Sequence, residues 1–122
     1  MEFTINTTKR TEMIDITDKV QDVISKEGIV IVFVPHTTAG ITINENADPD
    51  VKTDILRKLD EIVPKDDGYL HAEGNSDAHI KASMMGSSVS VIVEDGKLLL
   101  GTWQSIFFCE FDGPRKRRVL VK

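Results

Sequence analysis

Residues 71–83, HAEGNSDAHIKAS, hold His71 and His79, two of the three histidines in a chain of 122 residues, together with Lys81 and the turn Gly74-Asn75-Ser76. The third, His36, opens HTTAG just past a run of β-branched residues. Three neutral imidazoles are a familiar ligand set for zinc or another divalent ion with one coordination position left open. Because imidazole titrates near neutrality, the same residues also suit proton transfer or, when charged, contact with an anion. No HxH or HExxH spacing forces them together, so both chemistries stay open on the residues alone. Glu45, at the end of a short strand pattern with no evident capping task, and Glu73 are candidate bases beside such a cluster. Lys81 is a candidate cation, but in a helix positions 79 and 81 diverge by roughly 200°, so His79 and Lys81 would not serve one atom from the same helical face.

The other concentrated charge is RKRR at 115–118, set against a formal net charge of −5 for the whole chain. An acidic body repels a polyanion everywhere except at that end, which argues against nucleic acid as the partner. In a strand, Arg115 and Arg117 point one way and Lys116 and Arg118 the other. The run therefore reads either as a solvated strand end kept from aggregating by charge or as an anion-binding pair on one face. Ser83, Ser87 and Ser88 lack the Gly-x-Ser-x-Gly elbow of a serine nucleophile. Cys109, the only cysteine, lies in an apolar run and reads as packing; it can form neither an internal disulfide nor a thiolate zinc knuckle. Trp103, the only tryptophan, suits either stacking on a planar ring or packing.

The elements that would position these residues are mostly strands. EFTINTT and MIDIT flank the charged turn KRTE and read as a hairpin. Thr17 is placed to cap a short helix carrying Val20, Val23 and Ile24 on one face until Gly28 ends it. IVIVFV reads as a buried strand closed by Pro35 and His36. From Ala39 to Glu45, apolar residues alternate with Gly40, Thr42 and Asn44, a small polar face able to line a pocket. DPDVKTDILRKLDEIV has the strongest helix signature, with Asp48 as N-cap rather than ligand, Pro49 at the first position and Val51, Ile55, Leu56, Leu59 and Ile62 as a stripe. A long loop reaches Asp77, a plausible cap for a short helix over about 78–85. SVSVIV, LLLGTWQ, SIFFCEF and RRVLV follow as antiparallel strands, with hairpin signals at Asp95-Gly96 and Asp112-Gly113. The expected architecture is a single α+β domain over 1–122, mainly an antiparallel β-sandwich with two or three helices.

The blocks HTTAGITINENADPDV, HAEGNSDAHIKASMMGSSV and GTWQSIFFCEFDGPRKRRV, in that order, resemble the YjbQ-like family, sometimes labelled secondary thiamine-phosphate synthases. The resemblance covers nearly the whole chain. It implies a compact α+β fold with a β-sandwich, a homotrimer with a polar site near the subunit interfaces, and a weak thiamine-phosphate synthase activity. That reaction couples hydroxymethylpyrimidine diphosphate to thiazole phosphate with loss of pyrophosphate. It implies site positions at His36, Thr37, Thr38, Asn44 and Glu45; at His71, Glu73, Gly74, Asn75, His79, Lys81 and Ser83; and at Gly101, Thr102, Trp103, Gln104 and the arginines after Pro114. No metal comes with the resemblance; a divalent ion, zinc or magnesium, on His36, His71 and His79 is inferred from the residue types.

Such chemistry asks for cations or a divalent ion at the departing diphosphate and a surface for the ring. Lys81, Arg115 and the histidines are the available cations, and Trp103 a candidate surface. EGNSD is too short for a glycine-rich phosphate loop, and Glu73 and Asp77 repel phosphate, which fits a weak activity better than a dedicated synthase. A metal-dependent hydrolase and a non-catalytic module for a small phosphorylated or anionic ligand are the competing classes. Association has its own motive, since a chain this small buries only about two thirds of its unfolded surface. The longest apolar run is far shorter than the roughly 20 residues of a membrane span, and the opening MEFTINTTKR lacks a signal-peptide layout, so a cytoplasmic protein is expected.

Overall fold

The computed structural model of the protein describes residues 1–24 and 27–122. In chain order the elements are β1 (Glu2–Asn6), β2 (Glu12–Asp15), α1 (Thr17–Val23), β3 (Gly28–Phe33), β4 (Ala39–Glu45), α2 (Pro49–Ile62), α3 (Ser76–Met85), β5 (Ser88–Glu94), β6 (Lys97–Leu98), β7 (Gln104–Glu110) and β8 (Lys116–Val121). They form a five-stranded sheet ordered β1-β8-β3-β5-β6 and a three-stranded sheet ordered β2-β7-β4, and every pairing is antiparallel.

Between the sheets lies the main core. Ile5, Val30, Val32, Val91, Val93, Val119 and Val121 from the large sheet meet Ile41, Ile106 and Phe108 from the small one, and Val20 of α1 closes one side. The small sheet is buried on its other face as well, where Phe107 and Cys109 pack against Leu59 of α2 and Ala78 and Ala82 of α3. That double burial is why Ile106 to Cys109 form an unbroken apolar run rather than an alternating one. Each aromatic ring buried there stabilises the fold by about 1.5–3 kcal/mol relative to an exposed one.

Local chemistry accounts for the helices. The Asp48 carboxylate accepts the Asp50 amide at 2.9 Å, Pro49 follows it, and the Val51, Ile55, Leu56 and Leu59 stripe turns inward, whereas Ile62 is exposed. Thr17 is the first residue of α1 instead of its cap. Its hydroxyl donates to Asp15 at 2.6 Å and accepts the Ile106 amide at 2.9 Å, tying the helix start to β7. The helix ends at Val23, with Ile24 extended; residues 25 and 26 of the expected continuation to Gly28 lie outside the described residues. Helix α3 begins at Ser76, with Asn75 in the capping position, because Asp77 is wholly buried and bound to Arg10.

Several strand expectations change. β1 and β2 do not form a hairpin: β1 pairs with β8 and β2 with β7, so the KRTE turn carries the chain from one sheet to the other. Asp112-Gly113 likewise joins β7 to β8 across the two sheets, and only Asp95-Gly96, both with positive φ, closes a true hairpin, β5 to β6. In LLLGTWQ only Leu98 and Gln104 at its borders belong to strands. β3 is buried on one face alone; Ile29, Ile31 and Phe33 are 71%, 48% and 40% exposed on the outer face of the large sheet, beside exposed Ile92 on β5.

Candidate functional site

His36 and Thr37 lie in the link from β3 to β4, where Pro35 ends the strand and the chain crosses between sheets. On one side a groove of about 560 Å³ is lined by His36, Thr37, Thr38, Ser87, Arg115 and Arg117. On the other a groove of about 520 Å³ is lined by His36, Thr37, His79, Ser83, Gly86 and Ser87. His36, Thr37 and Ser87 belong to both, so the grooves are two lobes meeting at one wall.

The arginine lobe is rigid at its base. Arg117 donates from Nε to Glu110 Oε1 at 2.9 Å and from Nη2 to Glu110 Oε2, and Nη2 also reaches the Thr38 hydroxyl at 2.9 Å. Glu110 accepts further bonds from the Thr7 hydroxyl at 2.8 Å and the amides of Phe111 and Asp112 at 3.1 Å. Burial works to raise its pKa, but these donors, Arg117 foremost, hold it below the ordinary value. Arg115, half exposed, bonds Asp112 through Nη2 at 3.0 Å and Nε at 2.9 Å. Arg115, in the turn just before β8, and Arg117 within it thus share one lobe, the shared side expected of the pair, although Arg115 stands outside the strand.

His36 accepts the Arg118 backbone amide at Nε2, at 2.9 Å. Desolvation, followed by the nearby Arg117 and Arg118 charges, lowers its pKa below the ordinary histidine value, while Glu110 opposes the shift. At the far lobe, His79 on α3 stands edge to face with His71, ring centroids 5.3 Å apart, and Ser83 donates its hydroxyl to the His79 carbonyl at 2.9 Å. Gly74 takes positive φ in the loop that carries His71, and its amide bonds the His71 carbonyl at 3.2 Å. Glu73 lies 3.9 Å from His71 Nε2.

Other sequence candidates sit elsewhere. Lys81 is 1% exposed and bound to Asp60 at 2.5 Å and Asp77 at 3.5 Å, tying α3 to α2 and lining neither lobe. Asn75 donates to Asp112 at 2.8 Å, and its buried Oδ1 has no partner among the described residues. Glu45, Asn44, Trp103 and Gln104 gather at the opposite end of the small sheet, where Glu45 pairs with Gln104 and Asn44 with Ser105. The six residue steps of β4 between Ala39 and Glu45 span about 20 Å, so that group does not meet the His36 lobe within one chain. Trp103 is 63% exposed, hence not core packing. Cys109 is buried, with its thiol pushed up to about 12 by desolvation, as packing requires.

Among the described residues no three His, Cys, Asp or Glu side chains are gathered to hold a metal ion. His36 in this conformation does not fit a ligand role, because its Nε2 lone pair already receives an amide proton and Nδ1 must then carry the ring's own proton. Ser87 lines both lobes without having been expected as a site residue, whereas Arg117 is among the arginines after Pro114 that the resemblance implied. No signal in the sequence pointed to Ser87.

An antiparallel two-sheet α+β fold, helices on the small sheet and a histidine–arginine groove where strands cross between sheets, defines the class of protein. A family described as UPF0047 protein YjbQ-like matches residues 1–122, and the chain belongs to it. The UPF0047 protein of Methanocaldococcus jannaschii is 57% identical over 99% of this chain and 91% of its own length, and UPF0047 protein YugU of Bacillus subtilis 57% identical over 97% and 93%. Among solved structures, an uncharacterized conserved protein of this family from Clostridium acetobutylicum is 57% identical with a TM-score of 0.97, covering 100% of this chain and 98% of that one. A conserved hypothetical protein from Thermus thermophilus is 42% identical with a TM-score of 0.96 over the same shares.

Proposed function

We propose that the two lobes bind one small phosphorylated or otherwise anionic molecule, with the anion at Arg115 and Arg117 and the remainder toward His79 and Ser83. The convergence of both arginines with His36 on one groove carries this reading. The finer proposal is a transfer of thiamine-phosphate synthase type, in which hydroxymethylpyrimidine diphosphate loses pyrophosphate to thiazole phosphate. The arginine lobe would hold the departing diphosphate and His79, with Ser83, the acceptor side. Each arginine already holds a carboxylate, Asp112 or Glu110, so the excess positive charge is small and a weak activity is the expectation.

The homotrimer and a cytoplasmic location belong to the same proposal, with no nucleic acid partner. The exposed outer face at Ile29, Ile31 and Phe33 supports self-association. Glu45, Asn44, Trp103 and Gln104 could take part only if one copy presents them to the groove of another, given the distance within a chain.

A second reading, a metal-dependent hydrolase, keeps zinc or magnesium on His71 and His79, whose rings stand close enough to share an ion. Calorimetric titration with inorganic pyrophosphate, then a pyrophosphate-release assay with both substrates, tests the first reading. Saturable binding weakened at least tenfold in Arg115→Ala supports the site, and turnover supports the reaction. Binding without turnover leaves a binding module, and stoichiometric metal lost in His71→Ala and His79→Ala moves the hydrolase ahead.

A further inference from the structure

We infer that His36 serves the groove as a neutral hydrogen-bond donor through Nδ1, locked in that tautomer by the Arg118 amide, and acts neither as a base nor as a metal ligand. This deepens the anion-binding reading and rests on it for the identity of the acceptor. A neutral imidazole has one protonated nitrogen and one lone pair. The Arg118 amide, 2.9 Å from Nε2, occupies the lone pair, so the proton resides on Nδ1. Among the described residues no carbonyl or side chain accepts a hydrogen bond from Nδ1. The ring forms the wall common to both lobes, so the unclaimed N–H belongs to the ligand space.

Each alternative role breaks the same contact. A base would need a free lone pair, and none is left. A metal at Nδ1 would drive the proton onto Nε2, pointing N–H against N–H at Arg118. Protonation to the imidazolium does likewise, in a setting where Arg117 and Arg118 on β8 and Arg115 beyond them oppose positive charge. Glu110 on β7 favours it, but that carboxylate is already taken by Arg117, Thr7 and two amides. His79, facing from α3, is the remaining titratable group of the far lobe. What is left for His36 is to donate to an oxygen acceptor such as a phosphoryl oxygen, and any proton transfer in the groove falls to His79.

The test is nitrogen-15 NMR of histidine-labelled full chain at pH 7, before and after adding inorganic pyrophosphate. Nδ1 is expected to be protonated and Nε2 not, with the Nδ1 signal moving as pyrophosphate binds. The variants differ in which nitrogen they imitate. In His36→Asn the amide nitrogen falls near the Nδ1 position and affinity should stay within about threefold of wild type, whereas His36→Gln reaches the Nε2 position and should lose about tenfold, the worth of one hydrogen bond. An Nε2–H tautomer or an imidazolium at pH 7 would overturn the inference whatever binds, and so would the reverse order of the two variants. Wild-type protein with the Nδ1–H tautomer but no pyrophosphate binding would instead sink the ligand reading and, with it, the donor role.

Discussion

Arg117 of β8 clasps Glu110 of β7 and thereby joins the two sheets at the floor of the groove, with both side chains almost wholly out of solvent. The pair is not merely a surface ion bridge brought inward. Glu110 accepts five bonds in all, and Arg117 also holds Thr38, so the strand crossing that carries His36 and Thr37 is anchored to the same point.

Breaking one side of that pair should be costly. Arg117→Met leaves a buried carboxylate without its compensating charge and is expected to lower stability by about 3–5 kcal/mol in urea unfolding. The double variant Glu110→Gln with Arg117→Met removes both charges and should recover part of the loss. Equal stability of the single variant and wild type would mean that the pair contributes nothing.

Acid sensitivity follows from three depressed pKa values. Glu110 and Asp77 titrate below their ordinary values of 4.5 and 3.8 in the folded protein, Asp77 because Arg10 and Lys81 outweigh its desolvation. The unfolded chain therefore binds these protons first, and stability present above pH 4.5 is lost as the pH falls through the folded values. His36, lowered from 6.5, works in the same direction, adding a shallower decline that begins at that pH. Melting temperature measured from pH 8 to pH 3 should fall gently and then steeply, and His36→Asn should flatten the first segment only.

Gly40 marks where β4 presses on the end of α3. An added Cβ would stand 2.8 Å from the Gly86 carbonyl and 3.0 Å from the Met85 Cβ. Gly40→Ala must push the helix end away from the strand, at a cost of about 1–3 kcal/mol. Chemical denaturation reads the loss, and because Gly86 lines the His79 lobe, pyrophosphate affinity should fall as well.

The outer face of the large sheet gives a test of association. If copies pack there, Ile31→Lys places a charge in the interface, and light scattering should show assembled wild type and monomeric variant. Monomeric wild type at micromolar concentration would remove self-association from the proposed function.

Much of the fold was legible locally. Asp48-Pro49 and the stripe behind it specify α2, the alternation from Ala39 specifies β4, and Asp95-Gly96 specifies the β5–β6 hairpin, because caps, periods and turn dihedrals act over a few residues. Alternation also led to the expectation that Arg115 and Arg117 share a side; they do, although Arg115 lies in the turn before β8. Which strand each one meets was not. KRTE and Asp112-Gly113 have turn chemistry equally suited to a hairpin and to a crossing between sheets, and burial of SIFFCEF on both faces decided for the crossing.

By itself the sequence determined the strand-rich α+β class, the helices and the placing of His36 at a strand end, since each is a short-range consequence of residue type. Only the tertiary structure decided that Lys81 is a buried tie to Asp60 and Asp77, that Glu45 lies far along the sheet from His36, and that the Arg118 amide sets which His36 nitrogen carries the proton. Those outcomes depend on groups that are distant in sequence, in the last case 82 positions apart, and packing of two sheets is what makes them neighbours.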